Sequence, residues 1–506
     1  MGAIAVIQDP TAWLDSMSGD LAGLFPEITV VLTLVLLLGF DLLFKGKKSI
    51  GLASIAFIGL SMTLAVQLVH AGLLEQPLRL FQLLLLDDIG HFVSILLTAG
   101  LLFALIITAV TTQNAETLFE KSEGLLLLNG LLLGALLMVK STNLLMVYVS
   151  IELVSICSYL LTGIFTGKSK AEAALKYLLF GGVASAIMLF GMSWLYGFTG
   201  SLDLNPAFFA ALQSVPQLPL IIALVMTAGG LFFKLSAVPF HIWSPDVFQA
   251  APTPVVAVFS GLPKLASLII IFRVANGLAT TALDWQMLLS IIAMASMLFG
   301  NFSALRQSNA KRMMAYSSIA HAGFLLVGLI TYSNAGGISL LFYASVYLVM
   351  NLAAFLLIAF LENRTGSSDF NDLKGVGNQM PYLGILVVVV MIALTGLPPT
   401  AGFSAKLYVF SALWESWQAQ DSPVLLWLFV FGLINSVIAL FYYLKLPYFL
   451  FFKENPDLVT VKSLTVSHKI WGTIFVLPLL LWFFQSEGLL DVLNNINFGL
   501  WSPINE

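Results

Sequence analysis

Apolar runs about as long as a bilayer-crossing helix, which takes ~20 residues, alternate with short polar breaks along the 506-residue chain. Fourteen stretches qualify: 26–44, 51–70, 90–111, 124–140, 143–165, 173–197, 218–238, 252–276, 285–305, 312–332, 336–361, 382–415, 424–451 and 468–486. They predict an all-α polytopic membrane protein of about 14 transmembrane helices. The twelfth stretch is too long for one straight helix and contains Gly396, Pro398, Pro399 and Gly402. The seventh runs into Pro239. Proline removes a backbone donor and clashes with the preceding turn. Opened backbone survives in a membrane only where protein or water satisfies it. Helices 7 and 12 are therefore expected to be broken, and the break before Lys406 to border a hydrated cavity.

Composition agrees with that pattern and removes several function classes. Hydrophobic residues make up 59% of the chain and charged residues 9%, where a soluble domain carries about 25% charged residues. The single cysteine, Cys157, can form no intrachain disulfide and supplies too few ligands for a zinc or Fe–S site. No Walker A motif and no Gly-x-Gly-x-x-Gly after a strand occurs, so the chain is expected neither to hydrolyse ATP nor to carry electrons. Residues 1–25 hold Asp9, Asp15 and Asp20 and no Lys or Arg, unlike a secretory signal. The first apolar stretch is expected to be a retained span.

Basic residues orient the spans. With both termini outside, most of the 22 Lys and Arg fall in inside loops, including Lys45, Lys47, Lys48, Lys121 and Lys462. Only Arg79, Lys140 and Arg273 are then assigned outside, and Lys234, Lys264 and Lys406 within spans. Aligning the two interrupted helices on Lys234 and Lys406 gives an offset of 172 residues, which carries Glu152 to a position near His321. Helices 4–8 then map onto helices 9–13, and a shift by an odd number of spans reverses direction, as in transporters built from inverted repeats. The expected organisation is helices 1–3 over 1–123, a first five-helix repeat over 124–276, a second inverted one over 285–451, and a last helix over 468–486.

The candidate chemistry lies inside the spans. An ionisable group at the bilayer centre costs roughly 2.5–3.5 kcal/mol on insertion scales, and such groups mark ion or proton pathways. Glu152, Lys234, Lys264 and Lys406 are four of them. Glu152 is expected to be the acidic partner of Lys234; an ion pair that merely fixes helix packing is the plainer alternative. A lysine poised between desolvation and a carboxylate can change protonation when the carboxylate moves, which an arginine cannot do. Lys264 lies too deep for easy snorkelling. His321 is a relay candidate, or simply a histidine bonded to a neighbouring helix. His241, near the inside surface, is a candidate for proton intake or a helix cap. Lys445, Asp41 and Glu415 read as interfacial anchors.

The stretch Lys234–Val255, KLSAVPFHIWSPDVFQAAPTPV, resembles the signature of the antiporter-like subunits of complex I, the proton-pumping NADH:quinone oxidoreductase. Pro245-Asp246-Val247 and the short C-terminus look most like the N-type among these subunits, and the lysine at 406 is unlike the glutamate of the M-type. The resemblance implies a translocase subunit that moves protons through Glu152, Lys234, Lys264, His321 and Lys406, driven by quinone reduction elsewhere. It implies no cofactor in this chain, with FMN, Fe–S clusters and quinone held by partner subunits. The implied partners are other membrane-arm subunits, the peripheral arm and the lipid bilayer, with no nucleic acid; the implied location is a bacterial inner membrane. A multisubunit Mrp-type cation/proton antiporter is the rival reading. A purely structural scaffold leaves the four central charges unexplained.

Overall fold

A computed structural model describes residues 20–44, 49–71, 77–111, 122–165, 167–279, 284–454 and 463–498. Lys45, Lys47, Lys48, Lys121, Lys462 and the acidic residues Asp9 and Asp15 lie outside the described residues. The helices α1 (Phe25–Leu43) and α2 (Ser49–Ala71) precede a small hairpin of β1 (Leu78–Leu80) and β2 (Leu84–Leu86). Then come α3 (Asp88–Thr111), α4 (Ser122–Lys140), α5 (Leu144–Gly163), α6 (Lys168–Thr199), the short α7 (Pro206–Leu212) and α8 (Gln217–Leu235). They are followed by α9 (Trp243–Ala250), α10 (Thr253–Leu278), α11 (Trp285–Leu305), α12 (Ala310–Ile330) and α13 (Asn334–Thr365). The chain ends with α14 (Val376–Gln379), α15 (Pro381–Thr395), α16 (Ala401–Gln420), α17 (Pro423–Phe452), α18 (Val466–Phe484) and α19 (Glu487–Asn494). Among the described residues, 13 helices are long and apolar enough to cross a membrane. The twelfth predicted span is the split pair α15 and α16.

Three helices form the interior. Every residue of the most apolar stretch of α10 is buried, and α12 and α13 are nearly as enclosed. By contrast α1, α2 and α18 keep much of their apolar surface exposed, as lipid-facing helices do. The buried trio is where the interior polar groups lie.

Both predicted interruptions are present. Helix α8 stops at Leu235, Ser236 takes a left-handed conformation (φ 58°), and the chain passes Pro239 before α9. Helix α15 stops at Thr395, and Gly396 caps it at φ 83° ahead of Pro398 and Pro399. Glycine is required at 396 twice over: by that angle, and because a Cβ there would lie 2.6 Å from Lys406 Cδ.

A local construction recurs at a spacing that differs from the offset of the two lysines. Asn143 caps α5 and donates to Asp203 Oδ1 (2.6 Å); Asn309 caps α12 and donates to Asp369 Oδ1 (2.7 Å). Each aspartate belongs to a Thr-Gly-Ser-x-Asp turn, 199–203 and 365–369, that closes a 32-residue helix with a left-handed glycine. Thr199 and Thr365 make the same two backbone hydrogen bonds. The two copies stand 166 residues apart, not 172. Lys234 precedes the break in its helix and Lys406 follows the break in its own, so an alignment on the two lysines does not superpose the breaks.

Lys140 and Arg273 are also not in surface segments. Both are 1% exposed. Arg273 grips Asp87 with two hydrogen bonds, 2.8 and 2.7 Å, and donates to the Val139 carbonyl. Lys140 meets Glu27 at 2.5 Å. Each charge is neutralised by a partner distant in sequence, which hydropathy and loop counting do not register. Removing one member of a buried pair strands the other and costs about 3–5 kcal/mol. Arg273→Met is therefore expected to lower the thermal unfolding temperature, and Asp87→Asn/Arg273→Met to recover most of the loss, measured by tryptophan fluorescence in detergent.

Candidate functional site

Helix α12 carries one stripe of chemistry. Ser317, Ser318, His321 and Phe324 fall on one face by helical spacing. Lys264, on the fully enclosed α10, donates to Ser318 Oγ at 2.8 Å and to the Ser318 carbonyl at 3.4 Å. One turn further, His321 is held at both ring nitrogens: Nδ1 lies 2.7 Å from the Tyr343 hydroxyl of α13 and Nε2 2.9 Å from the Tyr443 hydroxyl of α17. Tyr443 also bonds Ser317. Three residues beyond His321, Phe324 offers its ring face to Lys406 Nζ, 4.6 Å from the centroid. The Lys406 ammonium donates to the Thr395 carbonyl at 2.7 Å, an acceptor left over at the end of α15. Ser318 to Phe324 spans about 9 Å at 1.5 Å per residue. The structure thus brings Lys264, His321 and Lys406 together on α12.

Lys234 sits differently. It is 1% exposed in the last turn of α8, and its Nζ has no hydrogen-bond partner among the described residues. Around it stand the rings of Tyr159, Tyr177 and Phe233, with centroids at 5.2, 5.3 and 5.8 Å. Electron-rich ring faces attract a desolvated cation. Tyr177 stacks on Trp243 at 4.1 Å, and Trp243 meets Phe248, whose ring lies under Lys264. Aromatic faces therefore line the way from Lys234 to Lys264.

The expected contact between Glu152 and Lys234 is not made. Glu152 instead accepts a hydrogen bond from Ser185 on α6. It is close enough for its charge to act on Lys234 but forms no ion pair with it. The carboxylate fills its hydrogen-bonding needs with a hydroxyl one span nearer in sequence, while the ammonium is enclosed by rings.

His241 lies half-buried between α8 and α9, its ring 6.0 Å from Phe299. Burial pushes its imidazole below the usual value, and a hydrogen bond to the Pro239 backbone opposes this. The polar cleft at this end, about 400 Å³, is lined instead by Glu172, Lys176, Asp246, Gln249 and Asn309. Asp246 takes Lys176 at 3.0 Å and Arg312 at 2.7 Å. Burial pulls its carboxyl up, but the two cations outweigh it and hold it below the usual carboxylate range. Next to this, Lys311 meets Glu362 at 3.2 Å and donates to the Ala251 carbonyl. Glu415, read as an anchor, instead lines a cleft of about 460 Å³ with Lys406, Ser411 and Ser436.

Sequence reasoning missed Ser318, Tyr343 and Tyr443, and with them Tyr159 and Tyr177. A hydroxyl in an apolar helix carries no compositional signal. The spacing of Ser317, Ser318 and His321 was the one available clue.

The profile of the NADH:quinone oxidoreductase/Mrp antiporter transmembrane family matches residues 141–439, a stretch that holds every charge of the α12 row and both broken helices. The chain belongs to that family. Within the NADH:quinone oxidoreductase/Mrp antiporter family it is similar to NADH-quinone oxidoreductase subunit N of Chlorobium chlorochromatii, 36% identical with 85% of each chain covered. It is similar also to NAD(P)H-quinone oxidoreductase subunit 2 of a Synechococcus, 38% identical with 86% of this chain and 81% of the relative covered. A chain of respiratory complex I from Thermus thermophilus superimposes with a TM-score of 0.76 at 28% identity, covering 93% of this chain and 99% of that one. The Mrp complex of a Dietzia matches with a TM-score of 0.81 at 17% identity, a likeness of fold.

The ring box around Lys234 gives a direct test. Tyr159 packs against Gly181 so closely that a Cβ there would lie 1.7 Å from its hydroxyl, whereas a Cβ at neighbouring Gly182 meets nothing within 4 Å. Gly181→Ala is expected to cost about 1–3 kcal/mol by overpacking, and Gly182→Ala almost nothing, read from thermal unfolding of the purified variants.

Proposed function

We propose that this chain is the N-type antiporter-like subunit in the membrane arm of NADH:quinone oxidoreductase, and that it translocates protons. The observation that carries the reading is the stripe on α12, along which Lys264, His321 and Lys406 each meet a hydroxyl or a ring face within two turns of one another. The names of the relatives, at 36–38% identity over most of both chains, support the assignment to a quinone oxidoreductase complex. Protons are taken up at the polar end near His241 and Asp246, pass Glu152, Lys234 and Lys264, and leave through His321 and Lys406. Each residue does what its surroundings allow. The lysines carry charge on aromatic faces, Ser318 and the two tyrosines hand protons between nitrogens, and His321 accepts on one nitrogen as it donates from the other.

The drive comes from outside the chain. Among the described residues no cluster of His, Cys, Asp and Glu fits a metal, and flavin, Fe–S clusters and quinone are assigned to partner subunits. Quinone reduction there shifts charge next to the row, and in a low-dielectric interior a moved charge changes protonation far more than in water. The location follows as an energy-coupling membrane, the bacterial inner membrane in this reading, with both termini outside. The family also includes Mrp antiporters, so the cargo of the purified complex decides between the two: flavin and Fe–S proteins accompany a quinone oxidoreductase and are absent from an antiporter complex.

Lys234→Ala is expected to abolish NADH-driven pumping in inverted vesicles. Ser318→Ala removes a hydrogen bond to a charged group, worth about 1.5–3 kcal/mol, and should slow pumping roughly tenfold or more with assembly intact. Full pumping by either variant, measured by acridine quenching, would falsify its place in the row.

A further inference from the structure

A second set of titratable groups lies away from α12, where α1, α2, α3 and α4 meet. Glu27 of α1 and Lys140 of α4 form the buried pair at 2.5 Å, and Glu27 Oε2 has no partner. His91, in the first turn of α3, is 7% exposed; its ring bonds the Gln67 backbone and its Nε2 has no partner. The Gln67 side chain of α2 is wholly buried, and neither its oxygen nor its nitrogen is bonded. Leaving an amide unpaired in an apolar interior costs several kcal/mol. Four such atoms, unpartnered among the described residues, lie on neighbouring helices and are groups that water could satisfy.

The charges facing His91 are all accounted for. Lys140 reaches it from α4, His70 from α2 and Asp88 from its own helix. Glu27 acts on His70 from α1. Arg273 of α10 is occupied by Asp87. His70 is half-buried, beside Phe25, and near enough for its charge to act on His91, which places it between this cluster and the surface.

We propose that Glu27, Gln67, His91 and Lys140 form a second proton-binding site, wetted past His70 and separate from the row on α12. A proton arriving as hydronium leaves its O–H bond and forms an N–H bond at His91 Nε2. Gln67 supplies one donor and one acceptor to the water that carries it. This site goes beyond the reading of the α12 row and stands even if that row is inert.

The test is hydrogen–deuterium exchange at the histidine Cε1, followed peptide by peptide by mass spectrometry in the assembled complex. The exchange rate of a histidine in contact with the medium rises sigmoidally with pH through its titration. His91 is expected to give such a curve between about pH 5 and 9. Its midpoint should move by at least ~0.5 pH unit in Glu27→Gln/Lys140→Met, which leaves no stranded charge, with the His321 curve unmoved. Gln67→Leu should slow His91 exchange several-fold. An unexchanged His91 across the whole range would show a dry structural cluster and overturn the proposal, as would a curve unchanged in both variants. If neither variant assembles, the wild-type curve alone decides.

Discussion

Everything in this structure answers to one constraint: a cation cannot be left bare in an apolar interior. The chain meets it in two ways. Where a charge has only to stay, it is locked to an acid, as Arg273 is to Asp87. Where a lysine belongs to the proposed proton path, it is given a ring face and at most a neutral oxygen. Lys234, Lys264 and Lys406 all follow that second pattern. A carboxylate in contact would hold the ammonium permanently charged; a ring stabilises the cation yet lets the neutral amine remain without a stranded anion.

The fold follows from protecting that arrangement. Helices α10, α12 and α13 are sheathed on nearly all sides, so the groups they carry are screened from lipid and from bulk water alike. The apolar outer helices need no specific chemistry on their lipid faces, only hydrophobicity. This division lets a sequence so poor in charge concentrate its polar residues along one internal helix face.

Much of the architecture was legible in the sequence because hydropathy and helix length report it directly. The spans, the two interruptions and the buried lysines all follow from apolar runs, glycines, prolines and isolated charges. Pairings across the fold did not follow. That Glu152 turns to Ser185, that Arg273 reaches Asp87 and that Lys264 finds Ser318 are matters of three-dimensional adjacency between residues 33, 186 and 54 positions apart. The repeat illustrates the same point. Its lysines are conspicuous and stand 172 residues apart, while the modest Thr-Gly-Ser-x-Asp turns, which share their hydrogen bonds, stand 166 apart.

Gly396 carries one more implication. Its bare α-carbon rests against the methylene chain of Lys406, and the carbonyl just before it, on Thr395, receives that ammonium. Backbone and side chain there form a single lever. The oxygen that holds the amine and the glycine that makes room for its stem sit on one peptide joint, so the bend of the helix there sets what the lysine is bonded to.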